Sequence, residues 1–525
     1  MSFGKLLFIA TMTLAQIFPN NMIGTGGVTE GNAGAYSGAT ADYNFASGAL
    51  FGAALTVSRA SSDSEVCNGQ LYTFGNNVAP ITPCGLWAWE SRTNTVYNSL
   101  FVGATASTPP AGLPLTWGFS GLPPGVTATQ SAPTVDPVSG QTYLAFTFVG
   151  TPSATGLLYI SFQGPQDIAA LYGQTWTSSL YTAVPAGGVT NGVSYTFAVY
   201  GYTAGGSYDS NVISGSITPG TTLSSISAKQ TGSATLISST AKYIRPEYVV
   251  NFTSGQAVNF VLQIGVYQLE LNPNLPASVA SAVVASGGVC TPGTYTFTVA
   301  GGTGTAATIS GTVTGTTLGG TLTVVTPGSY SAASGLPASP ATLTGGVCTT
   351  QPTVTLTPTN NAASAFATGP ILTSGTAATR AQNTITSSVG AYASSTVFAK
   401  MAPQSSVTSP FAQWAAAYGG PNGTGLLTPA SAYTSTYAAG GSTYSMGLGS
   451  FAQATTASFG EAYGGGTENV SFNGATATAS NSATPSGSTL YIGSNALGAN
   501  ACNCVIPRVA FFPNQLSTAQ LGALQ

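Results

Sequence analysis

The sequence predicts an all-β protein: several antiparallel β-sandwich (jelly-roll) domains, a Gly/Thr-rich duplicated β module, and short N-terminal and C-terminal helical turns. Three observations carry this. Polar and apolar residues alternate with a period of two in segments such as Tyr195–Tyr200, Val258–Gln263, Thr294–Val299, Thr321–Val325 and Thr353–Thr357. That period puts Thr on one face and aliphatic or aromatic side chains on the other, as in half-buried antiparallel strands. Clusters of Gly, Pro, Asn and Ser punctuate these segments at short intervals, where turns are needed. Helical periodicity is almost absent.

Taken in order, residues 1–26 form an apolar leader. Lys5 is followed by Leu6-Leu7-Phe8-Ile9-Ala10, which reads as a docking peptide buried by a partner, with a short secretory signal as the alternative. Residues 27–99 read as a strand-and-turn lead segment. The Pro-rich join Pro109–Pro114 opens a sandwich spanning 100–275, and Asn272–Pro276 closes it. Residues 276–360 form a Gly/Thr/Val-rich block with an internal echo: Ser286-Gly-Gly-Val-Cys290-Thr291 returns as Thr344-Gly-Gly-Val-Cys348-Thr349. Two copies make a duplicated unit rather than a solenoid. Residues 361–525 form the last unit. Its tail, Ser517–Leu524, reads as a helical turn with Ser517 as N-cap and Leu516, Leu521 and Leu524 folded back on the last sheet.

Composition narrows function. Nine basic and twelve acidic residues serve 525 positions, and histidine is absent. An ordinary soluble protein is about a quarter charged. Most enzymes draw on His, Asp, Glu, Lys or Cys for proton transfer and nucleophilic attack. The expectation is therefore no catalytic residue, no metal site and no cofactor. Nine basic residues give no footprint for nucleic acid, and no apolar stretch is long enough for a membrane span. Low net charge weakens colloidal protection and favours life inside an assembly. Among six cysteines, Cys67–Cys84 and Cys290–Cys348 are the candidate disulfides. Cys502 and Cys504 share one face of a strand, where a bridge would be strained. Buried free thiols are the alternative for all six.

Three local patterns resemble a known group. Leu55-Thr56-Val57-Ser58-Arg59-Ala60-Ser61-Ser62, followed by Gly85-Leu86-Trp87-Ala88-Trp89-Glu90-Ser91-Arg92-Thr93-Asn94, resembles the "TRAS … GLLxEExRTN" segment near the start of many bacteriophage virion proteins. The group commonly has a Pro-Arg pair before the glycine, whereas here Pro80 is followed by Ile81. Gly173–Ser179, with Tyr267-Gln268-Leu269-Glu270, resembles the carbohydrate-binding-module-like sandwich that follows in those proteins. Val470–Gly474, Leu490–Gly493 and Ile506–Ser517 resemble the closing strands of laminin-G-like or concanavalin-like domains, and Gly375–Ala381 resembles the usual lead-in to that domain. The 276–360 block is similar to Gly-rich β modules of phage fibres.

The resemblance implies a structural virion protein: a tail or head fibre, spike or decoration subunit on the particle surface. It implies docking to other virion proteins through the N-terminal segment, a homo-oligomer of trimeric type, and host-surface polysaccharide as a binding partner. A secreted bacterial adhesin or surface-layer protein is the alternative, and a polysaccharide depolymerase the lesser one. Trp87, Trp89, Trp117, Trp176 and Trp414 are the residues suited to sugar stacking. For Trp87 and Trp176 a core position is the stronger reading; the stacking candidates are Trp117, Trp176 and Trp414. Arg59, Glu90 and Arg92 are expected to be structural ion-pair residues, because a charge in so charge-poor a chain needs a partner. Glu461 and Glu468 flank Gly464-Gly465-Gly466 and are placed at an exposed hairpin tip, unsuited to a glycosidase pair. Asp167 and Asp209 lack the context of a calcium loop.

Overall fold

The computed structural model describes residues 35–525 apart from 90, 226–227, 273–277, 331–336, 338–339, 359–367, 405–412, 419–423, 429–433, 438–442, 446–453, 481–486, 495–501 and 525. The leader lies outside these residues. The described chain is built of antiparallel strands, with one α-helix, Thr518–Ala523. The all-β reading is borne out.

The middle sandwich has two sheets. One runs in the order Val126–Gln130, Thr142–Gly150, Val258–Leu271, Thr175–Ala183, Lys229–Thr235, and the other Tyr208–Ile217, Val193–Tyr202, Tyr243–Phe252, Gly156–Ser161, Gly118–Ser120. Period-2 alternation sets the register. Leu144, Phe146 and Phe148 lie opposite Ile264, Leu262 and Phe260, and all six are buried between the sheets.

In the Gly/Thr block six strands run Val279–Ser286, Thr353–Pro358, Ala341–Thr344, Gly293–Val299, Thr308–Thr314, Thr317–Thr326. The first and last are joined where Val279 N donates to Pro327 O (2.8 Å) and Leu318 N to Gly287 O (2.9 Å), so the sheet curls towards a barrel. Phe297, Ile309, Leu343, Val354 and Leu356 fill it. The Thr face points outward, and cross-strand hydroxyl pairs form on it, such as Thr308 with Thr326 at 2.7 Å. No charged residue occurs between Glu270 and Arg380. Cys290 and Cys348 are disulfide-bonded and join the two echo segments.

Both halves of the chain build the last sandwich. One sheet runs Ala49–Phe51, Ala41–Asn44, Cys504–Phe512, Ser395–Pro403, Ala457–Gly464, Thr467–Phe472, Ala475–Ser480, and Gly85–Ala88 also pairs with Cys504–Phe512. In the facing sheet Thr56–Ser58 pairs with Thr384–Ser388, which pairs with Thr489–Ile492. Tyr43, Phe459, Phe511, Tyr418 and Ile492 share its core. The lead segment thus supplies strands to this sandwich, and the other two modules lie between them in sequence. Where the chain leaves for the middle sandwich, Arg92–Asn94 pairs with Ala378–Arg380 on the returning chain.

The C-terminal helix follows the expected design. Ser517 accepts from Gln520 N, and the Gln520 side chain accepts from Ser517 N, a reciprocal capping box. Leu516 and Leu521 are buried against Phe398, Ala462, Ala510 and Phe512, with Leu524 alongside. Ser517→Ala is expected to lower stability by about 1 kcal/mol, read as a shift in denaturation midpoint.

Two expectations are corrected. Cys502 and Cys504 are joined as a disulfide. They are not consecutive same-face positions of one regular strand: Asn503 has φ of 49° and the strand begins only at Cys504, so the left-handed residue turns the chain between the two thiols. Glu461 and Glu468 do flank a hairpin turn, but both are buried, at 1% and 0% exposure. Glu461 lies in register with Val397 and Val470, residues of the sandwich core, so strand alternation turns it inward.

Candidate functional site

A cluster of buried charged residues lies at the junction of the modules. Arg59, which follows the strand Thr56–Ser58, is 1% exposed. Its Nη1 donates to Asp63 Oδ2 (3.0 Å) and Asn383 Oδ1 (2.9 Å), its Nη2 to Gly75 O (2.9 Å) and its Nε to Ser61 O (2.8 Å). Arg380 comes from the returning strand. Its Nη1 lies 3.5 Å from Asp63 Oδ1 and 3.8 Å from Glu65 Oε1, and its guanidinium sits over the Trp89 ring at 5.1 Å. Trp89 Nε1 donates to Glu65 Oε1 at 2.6 Å. Buried arginines hold two carboxylates, and each guanidinium reaches both halves of the chain.

Glu65 is fully buried. Burial, reinforced by the neighbouring Asp63, pushes its carboxyl pKa well above the ordinary 4.5, and Arg380 and the Trp89 hydrogen bond only partly oppose this. The folded protein therefore holds this proton to a higher pH than the unfolded chain. Its contribution to stability is complete below the ordinary glutamate value and is lost as pH rises towards the native one. Glu65→Gln is expected to remove this loss, giving a flatter profile of melting temperature against pH above the ordinary glutamate value. A steeper decline in the variant would contradict the assignment.

Beside this cluster lies a cleft of about 710 Å³. One wall is the hairpin of strands Asp63–Cys67 and Gln70–Phe74, contributing Glu65, Val66, Asn68 and Gly69. Asn68 and Gly69 have φ of 51° and 78°, the conformation of a two-residue Asn-Gly turn. The turn abuts the opposite wall so closely that a Cβ on Gly69 would lie 2.1 Å from Ser224 O. Disulfide Cys67–Cys84 ties the hairpin to the strand carrying Trp87. The other wall is the outer face of the middle sandwich. Along Thr175–Ala183, Trp176 and Leu180 face the core, and Thr177 and Tyr181 face the cleft with Lys229, Thr231 and Ser233 of the neighbouring strand. Thr177 and Ser233 share a hydroxyl hydrogen bond of 2.7 Å. Trp87 and Trp89 lie beneath, with ring centroids 5.7 Å apart. Desolvation lowers the Lys229 amine pKa, and Glu270 and Glu65 partly restore it.

The residues expected from sequence fall as follows. Trp117 and Trp176 are core residues, 8% and 2% exposed. Trp117 is held edge-to-face by Phe101 and Phe162, so neither ring has a face free for a sugar. The Trp414 side chain and Glu90 lie outside the described residues. Arg59 is paired as described. Buried Arg92 donates from Nη1 to Leu271 O (3.2 Å) and to Asn272 Oδ1. Asp167 accepts from Gly164 N within its own turn, and Asp209 from Thr240. Sequence reasoning missed Glu65, Tyr181 and Lys229. Only the period of Gly85–Trp89 held a signal, since Leu86 and Ala88 enter the sandwich core and Trp87 and Trp89 the opposite cluster.

No family model matches this chain, and no curated protein matches it. Among solved structures, it is similar to the glycoside hydrolase domain of Endo-D from Streptococcus pneumoniae R6, at 12% identity and a TM-score of 0.23, covering 56% of this chain and 43% of that one. It is similar to Trypanosoma rangeli sialidase, at 9% identity and 0.21, covering 83% and 98%. It is also similar to the N-terminal CBM22-1-CBM22-2 tandem domain of Paenibacillus barcinonensis Xyn10C, at 8% and 0.20, covering 81% and 93%. At these TM-scores the likenesses carry no argument about fold or function. Among the described residues no helix is long and apolar enough to cross a membrane.

Proposed function

We propose that this chain is a structural protein of a bacteriophage particle surface, a fibre, spike or decoration subunit, that binds host-surface saccharide in the cleft and does no chemistry on it. The observation that carries the binding reading is the make-up of the cleft walls: the hydroxyls of Thr177, Thr231 and Ser233 on neighbouring strands, with Asn68 across from them. A row of hydroxyl and amide groups suits a saccharide, whose own hydroxyls exchange hydrogen bonds with them. The virion reading rests on the order of the sequence motifs, and the charge-poor surface suits a subunit covered by neighbours.

Binding without hydrolysis follows from the acids. Glu65 is the one carboxyl residue among the described cleft residues, and glycosidases of the usual kind need two flanking the bond. Affinity per site is expected to be weak, with many copies on a particle supplying avidity. The test has two parts. Immunogold labelling with antibody against this chain should decorate intact particles. Purified protein incubated with host surface polysaccharide should be retained by it and release no new reducing ends. Unlabelled particles would sink the virion reading. New reducing ends that vanish in Glu65→Gln would replace binding with depolymerisation.

A further inference from the structure

We propose that the cleft selects an acidic saccharide, one whose sugar carries a carboxylate of the uronic-acid kind, with Lys229 as its counter-charge. This rests on the saccharide reading of the cleft and adds the ligand's class to it. The argument is a census of charge around the cavity. Three cations and three acids gather there: Arg59, Arg380 and Lys229 with Asp63, Glu65 and Glu270. Arg59 and Arg380 are committed to Asp63. Glu270 is occupied by Thr368, whose N and Oγ1 donate to its two oxygens at 3.0 and 2.6 Å. Glu65 Oε1 is held by Trp89.

Arg380 Nε and Nη2 have no hydrogen bond among the described residues, and two polar groups of cleft-lining residues remain. Among the described residues Glu65 Oε2 has no hydrogen-bond partner, although it is fully buried and its residue lines the cleft. The Lys229 ammonium has neither a hydrogen bond nor a carboxylate within ion-pair distance among those residues, and it lines the same cavity. A buried oxygen without a hydrogen bond, as Glu65 Oε2 is here, marks a missing partner. An ammonium is a donor and carries a positive charge. A ligand carboxylate supplies the acceptor and counter-charge that Lys229 lacks within ion-pair distance among the described residues, and a neutral sugar supplies no charge. The hydroxyls of Thr177, Thr231 and Ser233 remain for the sugar's own hydroxyls.

The experiment measures binding of the full chain to an oligogalacturonate and to its fully methyl-esterified, neutral counterpart. The acidic ligand is expected to bind about tenfold tighter at low salt, one charge-assisted contact's worth, with the gap narrowing as salt rises. Lys229→Gln is expected to abolish the preference, bringing the affinity for the acidic ligand down to that for the neutral ester. Lys229→Arg is expected to restore part of it, and circular dichroism checks that both variants fold. Equal affinity for the two ligands, or a preference that survives in Lys229→Gln, overturns the acidic assignment and leaves the saccharide reading standing. Failure of both ligands, and of a panel of neutral oligosaccharides, removes the saccharide reading and this inference with it.

Discussion

Replacing Arg59 by methionine is expected to lower stability by about 3–5 kcal/mol, because it strips a buried carboxylate of its partner. The guanidinium makes hydrogen bonds to Asp63, Asn383, Gly75 and Ser61 from a position with no access to water. Methionine keeps the volume and deletes every donor. Asp63 would retain the hydrogen bond from Ser64 N and the longer contact with Arg380, and two backbone carbonyls would lose their partners. The bond to Asn383 joins the lead segment to the returning chain and the other three hold the lead segment itself, so the loss falls on both. Guanidinium denaturation followed by tryptophan fluorescence measures it. A change below about 1 kcal/mol, the range of an exposed pair, would show that the cluster is solvated and not the buried clamp described.

Trp89→Ala is the second large effect, expected at about 3–5 kcal/mol, the usual range for removing a buried large aromatic. Trp89 stacks on Trp87, lies under the Arg380 guanidinium and donates to Glu65. The alanine variant therefore opens a cavity and releases a buried carboxyl at once. Trp89→Phe separates the two contributions: it keeps most of the packing and removes only the donor, so its cost should be clearly smaller. If phenylalanine and alanine cost the same, the hydrogen bond to Glu65 dominates and the packing account fails. Either variant should also weaken saccharide retention, because Trp89 forms the floor of the cleft.

The sheet architecture was legible because alternation and turn residues are local signals. Tyr195–Tyr200 and Thr294–Val299 fall in strands whose inward faces are Phe197 and Phe297, each buried. Ser517 could be named as a cap because a cap depends on the three residues that follow it. Pairing across long separations was less legible. That Tyr43 lies opposite Val509, and Val57 opposite Ile385, depends on how sheets close, and no short-range pattern encodes it. The same limit explains the tryptophans. Trp117 and Trp176 stood in segments suited to sugar contact, but the second sheet and its phenylalanines cover them. Glu65, Tyr181 and Lys229 are far apart along the chain and meet only because the Asp63–Phe74 hairpin lies against the middle sandwich. Glu461 looked exposed beside three glycines because the glycines mark the turn, and its inward orientation is set by register with Val397 and Val470 on the neighbouring strands.

The central claim is that a saccharide occupies the cleft between the Asn68-Gly69 turn and the Tyr181–Lys229 face. Amide hydrogen exchange of the intact protein, with and without saturating host oligosaccharide, tests it most directly. The account predicts new protection confined to the segments around residues 65–70, 177–182 and 223–233, where the cleft is lined, and its loss in Trp89→Ala. Protection confined to the Thr-rich barrel or to the last sandwich, with those three segments unchanged, would place the saccharide elsewhere and contradict the account.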